Sequence, residues 1–72
     1  MRTANEMYVE LMDKIKKPIS STRSYYAMGE NGEIFIYETY DDAIRESNKY
    51  FGEGKYIIVK IIEDKYILLY GE

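Results

Sequence analysis

Asp41 and Asp42 stand side by side, and Ser20, Ser21 and Ser24 follow closely on Lys17. These side chains come nearest, by type and spacing, to doing chemistry. Two neighbouring carboxylates can hold a divalent cation or divide general-acid and general-base work between them. A serine beside a lysine can act as nucleophile and base. Each arrangement also has a simpler explanation. Acids at the start of a helix stabilise the positive end of its dipole, and serines near a proline make an ordinary polar connection. The chain has no His and no Cys, which removes the commonest general base, the most nucleophilic side chain and the two commonest zinc ligands. Gly29-Glu30-Asn31-Gly32 and Gly52-Glu53-Gly54-Lys55 lack phosphate-loop spacing, and the second leads into a strand instead of a helix. The sequence therefore predicts a non-enzyme with no catalytic residues, no cofactor and no metal.

The elements that would position these residues are short. Seventy-two residues make one domain, 1–72, with a thin core and, lacking cysteine, no disulfide to brace it. Thr3-Ala4-Asn5-Glu6 has the form of a capping box. Ala4, Tyr8, Leu11, Met12 and Ile15 recur at three- and four-residue spacing, which predicts a helix over about residues 4–16, stopped by Pro18. Tyr25-Tyr26-Ala27-Met28 and Ile34-Phe35-Ile36-Tyr37 flank Asn31-Gly32. They predict a hairpin with strands over about 24–28 and 33–38 and a type I′ turn. Thr39 precedes Asp41 and Asp42 as an N-cap for a second helix over about 40–51, with Ala43, Ile44, Ser47, Tyr50 and Phe51 inward and Gly52 as its stop. Residues of about 55–62 and 66–70 are β-rich, with Glu63-Asp64-Lys65 as the turn between them. The order α-β-β-α-β-β implies an α+β fold, a small antiparallel four-stranded sheet with two helices packed on it.

Charge is unevenly spread. The net charge is −3, yet residues 30–46 carry Glu30, Glu33, Glu38, Asp41, Asp42 and Glu46 against Arg45 alone. An acidic middle segment repels phosphate, so nucleic acid is an unfavourable partner. The same segment would suit a basic groove on a protein. No stretch approaches the roughly 20 apolar residues of a membrane span, and the N-terminus lacks the apolar run of a signal peptide. The expected setting is the cytoplasm, or the host cytoplasm for a viral protein.

The last two strands are too apolar for a sheet with one wet face. In Tyr56 to Ile62, both alternating sets are largely apolar, and Tyr66 to Tyr70 repeats the pattern. Either the two helices cover opposite faces, or another molecule does. There are 9 tyrosines, a residue enriched at interface cores because it buries a ring and keeps a polar tip. Tyr37, Tyr56, Tyr66 and Tyr70 are therefore candidate partner-binding residues together with Glu30, Glu33, Glu38, Asp41, Asp42 and Glu46. The expectation is a protein-binding module, an inhibitor or regulator carried by a phage, virus or mobile element, occluding a host protein through its acidic segment and tyrosine-rich sheet. Two alternatives are a nucleic-acid binder that stacks bases on sheet tyrosines and a structural homo-oligomer, of which a homodimer is the simplest form.

Overall fold

A computed structural model describes residues 3–15, 24–63 and 65–71. Pro18, Lys17, Ser20, Ser21 and Asp64, which figure in the sequence reading, lie outside the described residues.

Helix α1 (Ala4–Lys14) begins at the expected box. The Glu6 amide donates to Thr3 Oγ1 at 3.1 Å and the Thr3 amide donates to Glu6 Oε1 at 3.0 Å, so two orphan donors of the first turn are satisfied reciprocally. The helix ends at Lys14, two residues short of the expected limit. Ile15 leaves helical geometry at φ −108°, ψ 74° while its amide still bonds Leu11 O. Helix α2 (Tyr40–Tyr50) starts from Thr39, whose hydroxyl accepts from the Asp42 amide at 3.1 Å. Asp41 and Asp42 occupy its first turn, where carboxylates are favoured by the dipole.

Four strands, β1 (Tyr25–Gly29), β2 (Ile34–Tyr37), β3 (Tyr56–Ile62) and β4 (Lys65–Tyr70), form one antiparallel sheet in the order β2-β1-β3-β4. The central strands β1 and β3 are apolar on both faces because each face meets a different helix. Tyr26, Met28, Ile57, Val59 and Ile61 pack against Ala4, Met7 and Leu11 of α1. Ala27, Tyr56 and Ile58 pack against Ala43 of α2, with Tyr25, Tyr37, Tyr40, Ile44, Phe51 and Tyr70 around them. The result is a three-layer arrangement, helix on sheet on helix. Met7, absent from the expected apolar stripe, is buried, whereas Tyr8, Met12 and Ile15 are only half-buried. The inward face of α1 is thus centred on Ala4, Met7 and Leu11.

The turns differ from expectation. A type I′ turn needs positive φ at both central residues, but Asn31 keeps a negative φ and only Gly32 is positive, at 87°. Gly32 N donates to Gly29 O and Gly29 N donates to Glu33 O. This is the three-residue connection in which an ordinary turn is followed by one left-handed glycine. Asn31 instead braces the loop, its Oδ1 accepting from the Glu33 amide at 3.0 Å. Between β3 and β4, Ile62 pairs with Lys65, so Lys65 belongs to the strand and not to the turn.

Candidate functional site

β3 is clamped between β1 and β4, and β4 is left as a sheet edge. Pairing sets the faces, since partners across an antiparallel ladder share one. Tyr66 and Leu68 pair with Ile61 and Val59 on the α1 side. Ile67 pairs with Lys60 on the α2 side. The register then shifts: Val59 pairs with Leu68 but Ile58 with Tyr70, which leaves Leu69 as the extra residue of a bulge. Tyr70 thereby returns to the α2 side and stacks on Tyr56, ring centroids 4.7 Å apart and planes 13° from parallel.

Neither helix reaches the full length of this edge. Ile62, Ile67, Leu68 and Leu69 are 40%, 39%, 37% and 41% exposed. Together they make an apolar strip that wraps β4 from one sheet face to the other. What α1 does hold is the start of the strand: Tyr8 Oη donates to Tyr66 O at 2.5 Å, and Tyr66 Oη donates to Ile15 O. This reciprocal clasp ties the backbone of β4 to α1, while no strand among the described residues pairs its outer edge.

The opposite edge is built differently. β2 has four residues and is flanked by Glu33 and Glu38. Glu33 accepts from Asn31 Nδ2 at 2.7 Å and from Tyr50 Oη at 2.9 Å. Short length and flanking charge are the usual protection of a sheet edge. β4 has six residues, one charge, Lys65, and no proline.

The residues singled out from sequence fall into two groups. The acids do not converge. Asp42 pairs with Arg45 at 2.5 Å, and Glu46 lies 3.6 Å from Arg45 and 3.8 Å from Lys49, all on the outer surface of α2. Glu38 and Asp41 are exposed, and Glu30 is half-buried in the hairpin loop. Among the described residues no group of three or more acids, His or Cys is placed to hold a metal ion. The tyrosines do converge, but inward. Tyr37, Tyr56 and Tyr70 join the α2-side cluster, and Tyr66 the α1-side cluster. Tyr56 is 1% exposed and donates to Asn48 Oδ1 at 2.6 Å. Lys60 sits 4.2 Å from the centre of the Tyr25 ring and donates to its hydroxyl at 3.1 Å. The tyrosine with the most open ring is Tyr50, 58% exposed at the end of α2. The aliphatic residues of the β4 edge were visible in the sequence only as an excess of apolar positions, with no indication of which would stay uncovered.

Burial, reinforced by neighbouring Tyr70, pushes the Tyr56 phenol far above the ordinary tyrosine range. Burial and the Glu46 carboxylate raise Tyr37 as well, against a smaller lowering by Ser47. The Ser47 hydroxyl, fully buried beneath α2, lies near Tyr37 yet makes no hydrogen bond of ordinary geometry. A phenol whose folded pKa exceeds its unfolded value of about 10 contributes stability that is complete below that pH and is lost as pH rises towards the folded value. Stability is therefore expected to fall above about pH 10, by up to about 1.4 kcal/mol per pH unit for each such tyrosine. Urea midpoints followed across this range should decline less steeply in Tyr56→Phe than in the parent chain. Parallel declines would show that Tyr56 ionises as freely folded as unfolded.

No protein family, no curated protein and no solved structure matches the chain. No helix among the described residues is long and apolar enough to cross a membrane.

Proposed function

We propose that the chain is a small protein-binding module that engages another polypeptide along the outer edge of β4. The observation that carries this reading is the contrast between the two sheet edges. β2 is short and bracketed by carboxylates, while β4 is longer and presents Ile67, Leu68 and Leu69 on an edge that no other strand among the described residues pairs. A strand added there would gain main-chain hydrogen bonds and cover the apolar strip in one step. An inhibitor or regulator of the kind expected from the sequence would act by such occlusion, with the acids of α2 as a solvated flank. Asp42 and Glu46 already have cationic partners on their own helix, which weakens them as a lure for a basic groove. Base stacking draws no support from the sheet tyrosines, whose rings lie under the helices.

A photo-cross-linking residue placed at position 68 of the full chain tests the proposal, with position 36 on the opposite edge as control. Polypeptide adducts should form at 68 well above the level at 36, and their mass will tell a foreign chain from a second copy. Equal labelling at the two edges, or none at 68, would remove β4 as the binding surface.

A further inference from the structure

We infer that Tyr50, Phe35 and Phe51, together with the Glu33 carboxylate, form a weak surface site for a methylated ammonium group. The site lies at the opposite margin of the sheet from β4 and does not depend on what β4 binds. It is on the α2 side, whereas Ile36 pairs with Tyr26 on the α1 side, so position 36 stays a sound control for β4.

The first support is ring geometry. Tyr50 stands nearly perpendicular to both phenylalanines, at 84° to Phe35 and 88° to Phe51, with each centroid 5.0 Å away. An edge-to-face contact uses the edge of one ring and one face of the other. Rings on opposite faces of Tyr50 at that distance would be about 10 Å apart, but Phe35 and Phe51 are 5.8 Å apart. The two phenylalanines therefore leave at least one face of Tyr50 uncovered, and the residue is 58% exposed.

The second support is charge. The Tyr50 hydroxyl donates to both oxygens of Glu33, at 2.9 and 3.2 Å. Donation to a carboxylate polarises the phenol and makes its ring faces more negative. Asn31 Nδ2 donates to the same carboxylate at 2.7 Å, which fixes it at the hydroxyl end of the ring. Tyr50 is also the last residue of α2 and Phe51 its C-cap, where the helix dipole presents its negative end. Ring face, carboxylate and helix end all favour a cation. The Tyr50 phenol is held above its ordinary range by the Glu33 bond and charge, which reflects the same field.

The third support concerns which cation fits. A plain ammonium carries three donors that need acceptors. Lys60 meets this need on another ring: its Nζ lies 4.2 Å from the centre of Tyr25 and also donates to the Tyr25 hydroxyl at 3.1 Å. At Tyr50 the hydroxyl is turned to Glu33, and among the described residues no cation sits on its ring. A methylated ammonium has few donors or none, so an aromatic face with a carboxylate nearby suits it better. The site is open on one side, and its dissociation constant for an isolated ion should be of the order of 10 mM.

Nuclear magnetic resonance of the aromatic protons, as tetramethylammonium chloride is added to the full chain at constant ionic strength, is the test. Saturable shifts should appear on Tyr50, Phe35 and Phe51. The uncharged carbon analogue of choline should leave them unmoved. Tyr50→Leu should weaken binding about fivefold or more. Glu33→Gln, which keeps the shape and removes the charge, should weaken it about twofold or more, and it serves alone should Tyr50→Leu lose its circular-dichroism signal. Choline and a peptide carrying trimethyllysine separate two sources of the group. A peptide that binds more tightly than choline assigns the site to a polypeptide, and choline that binds as tightly or more so assigns it to a free small molecule. No saturable shift up to about 100 mM, an equal response to the uncharged analogue, or undiminished binding in the folded variants would each overturn the inference.

Discussion

Leu11→Ala should remove about half of the stability of this protein. Leu11 is fully buried and is the deepest of the α1 residues set against Tyr26, Met28, Ile57, Val59 and Ile61. Truncating a buried leucine to alanine costs about 2–5 kcal/mol, the larger values arising where the surroundings cannot collapse into the cavity. Here the opposite wall is the central part of a sheet held on its far side by a second helix, which restricts collapse. A chain of this length has a total stability of about 4–11 kcal/mol, so at the middle of both ranges the substitution removes about half of it. Val9→Ala is the matched comparison. Val9 is 53% exposed on the same helix, and its loss should shift stability by no more than about 0.5 kcal/mol. Urea unfolding of the two variants checks both. Similar midpoints for Leu11→Ala and Val9→Ala would mean that α1 does not dock on this face through Leu11.

The contrast between Leu11 and Val9 also shows what could be read from the sequence. Helix starts were legible because capping is local chemistry: Thr3 with Glu6, and Thr39 with Asp42, interact over three residues and need no knowledge of the fold. The element order was legible for the same reason. The inward face of α1 was only partly so. Tyr8 and Met7 are adjacent, and both suit an apolar stripe; the sheet selects Met7, and Tyr8 turns aside to reach the backbone of Tyr66.

The tyrosines were harder still. Their number suggested exposed rings, but a phenol can be buried when its hydroxyl finds a partner. Asn48 serves Tyr56, Ile15 O serves Tyr66, and Lys60 donates to Tyr25. Those partners are distant in sequence, 8 to 51 residues away, so the pairing emerges only from the fold. The excess of apolar positions in the last two strands was legible as an excess. How it divides could not be read, because two helices on opposite faces hide most of β3 and leave β4, and a bulge at Leu69 decides which face Tyr70 joins.

Gly29 is a position where sequence reasoning saw the turn and not the ring packed against it, and it supports the second large prediction. Beside Glu30-Asn31-Gly32 it reads as part of a turn. In the structure it is the last residue of β1, buried, paired with Tyr56 and without the positive φ that a turn glycine would show. Its missing side chain makes room for a ring. A Cβ on Gly29 would lie 2.2 Å from Phe51 Cδ1 and 2.3 Å from Cε1, well inside van der Waals contact. Phe51 cannot easily yield. It closes the C-terminal end of α2 and sits among Phe35, Tyr50 and Tyr56 at centroid distances of 5.8, 5.0 and 6.2 Å. Local propensity alone predicts that alanine improves a strand over glycine, so the sign of the effect separates packing from propensity. Gly29→Ala should destabilise by about 1–3 kcal/mol through overpacking, with a further cost of about 0.5–1.5 kcal/mol for each aromatic contact that the displaced ring gives up. Phe51→Ala will itself destabilise, but in that background Gly29→Ala should become neutral or favourable, because the clashing ring is gone. A double-mutant cycle measured by urea unfolding reads that coupling directly. A stabilising Gly29→Ala in the parent chain, or a cycle without coupling, would show that the end of α2 is not seated on β1 through this ring.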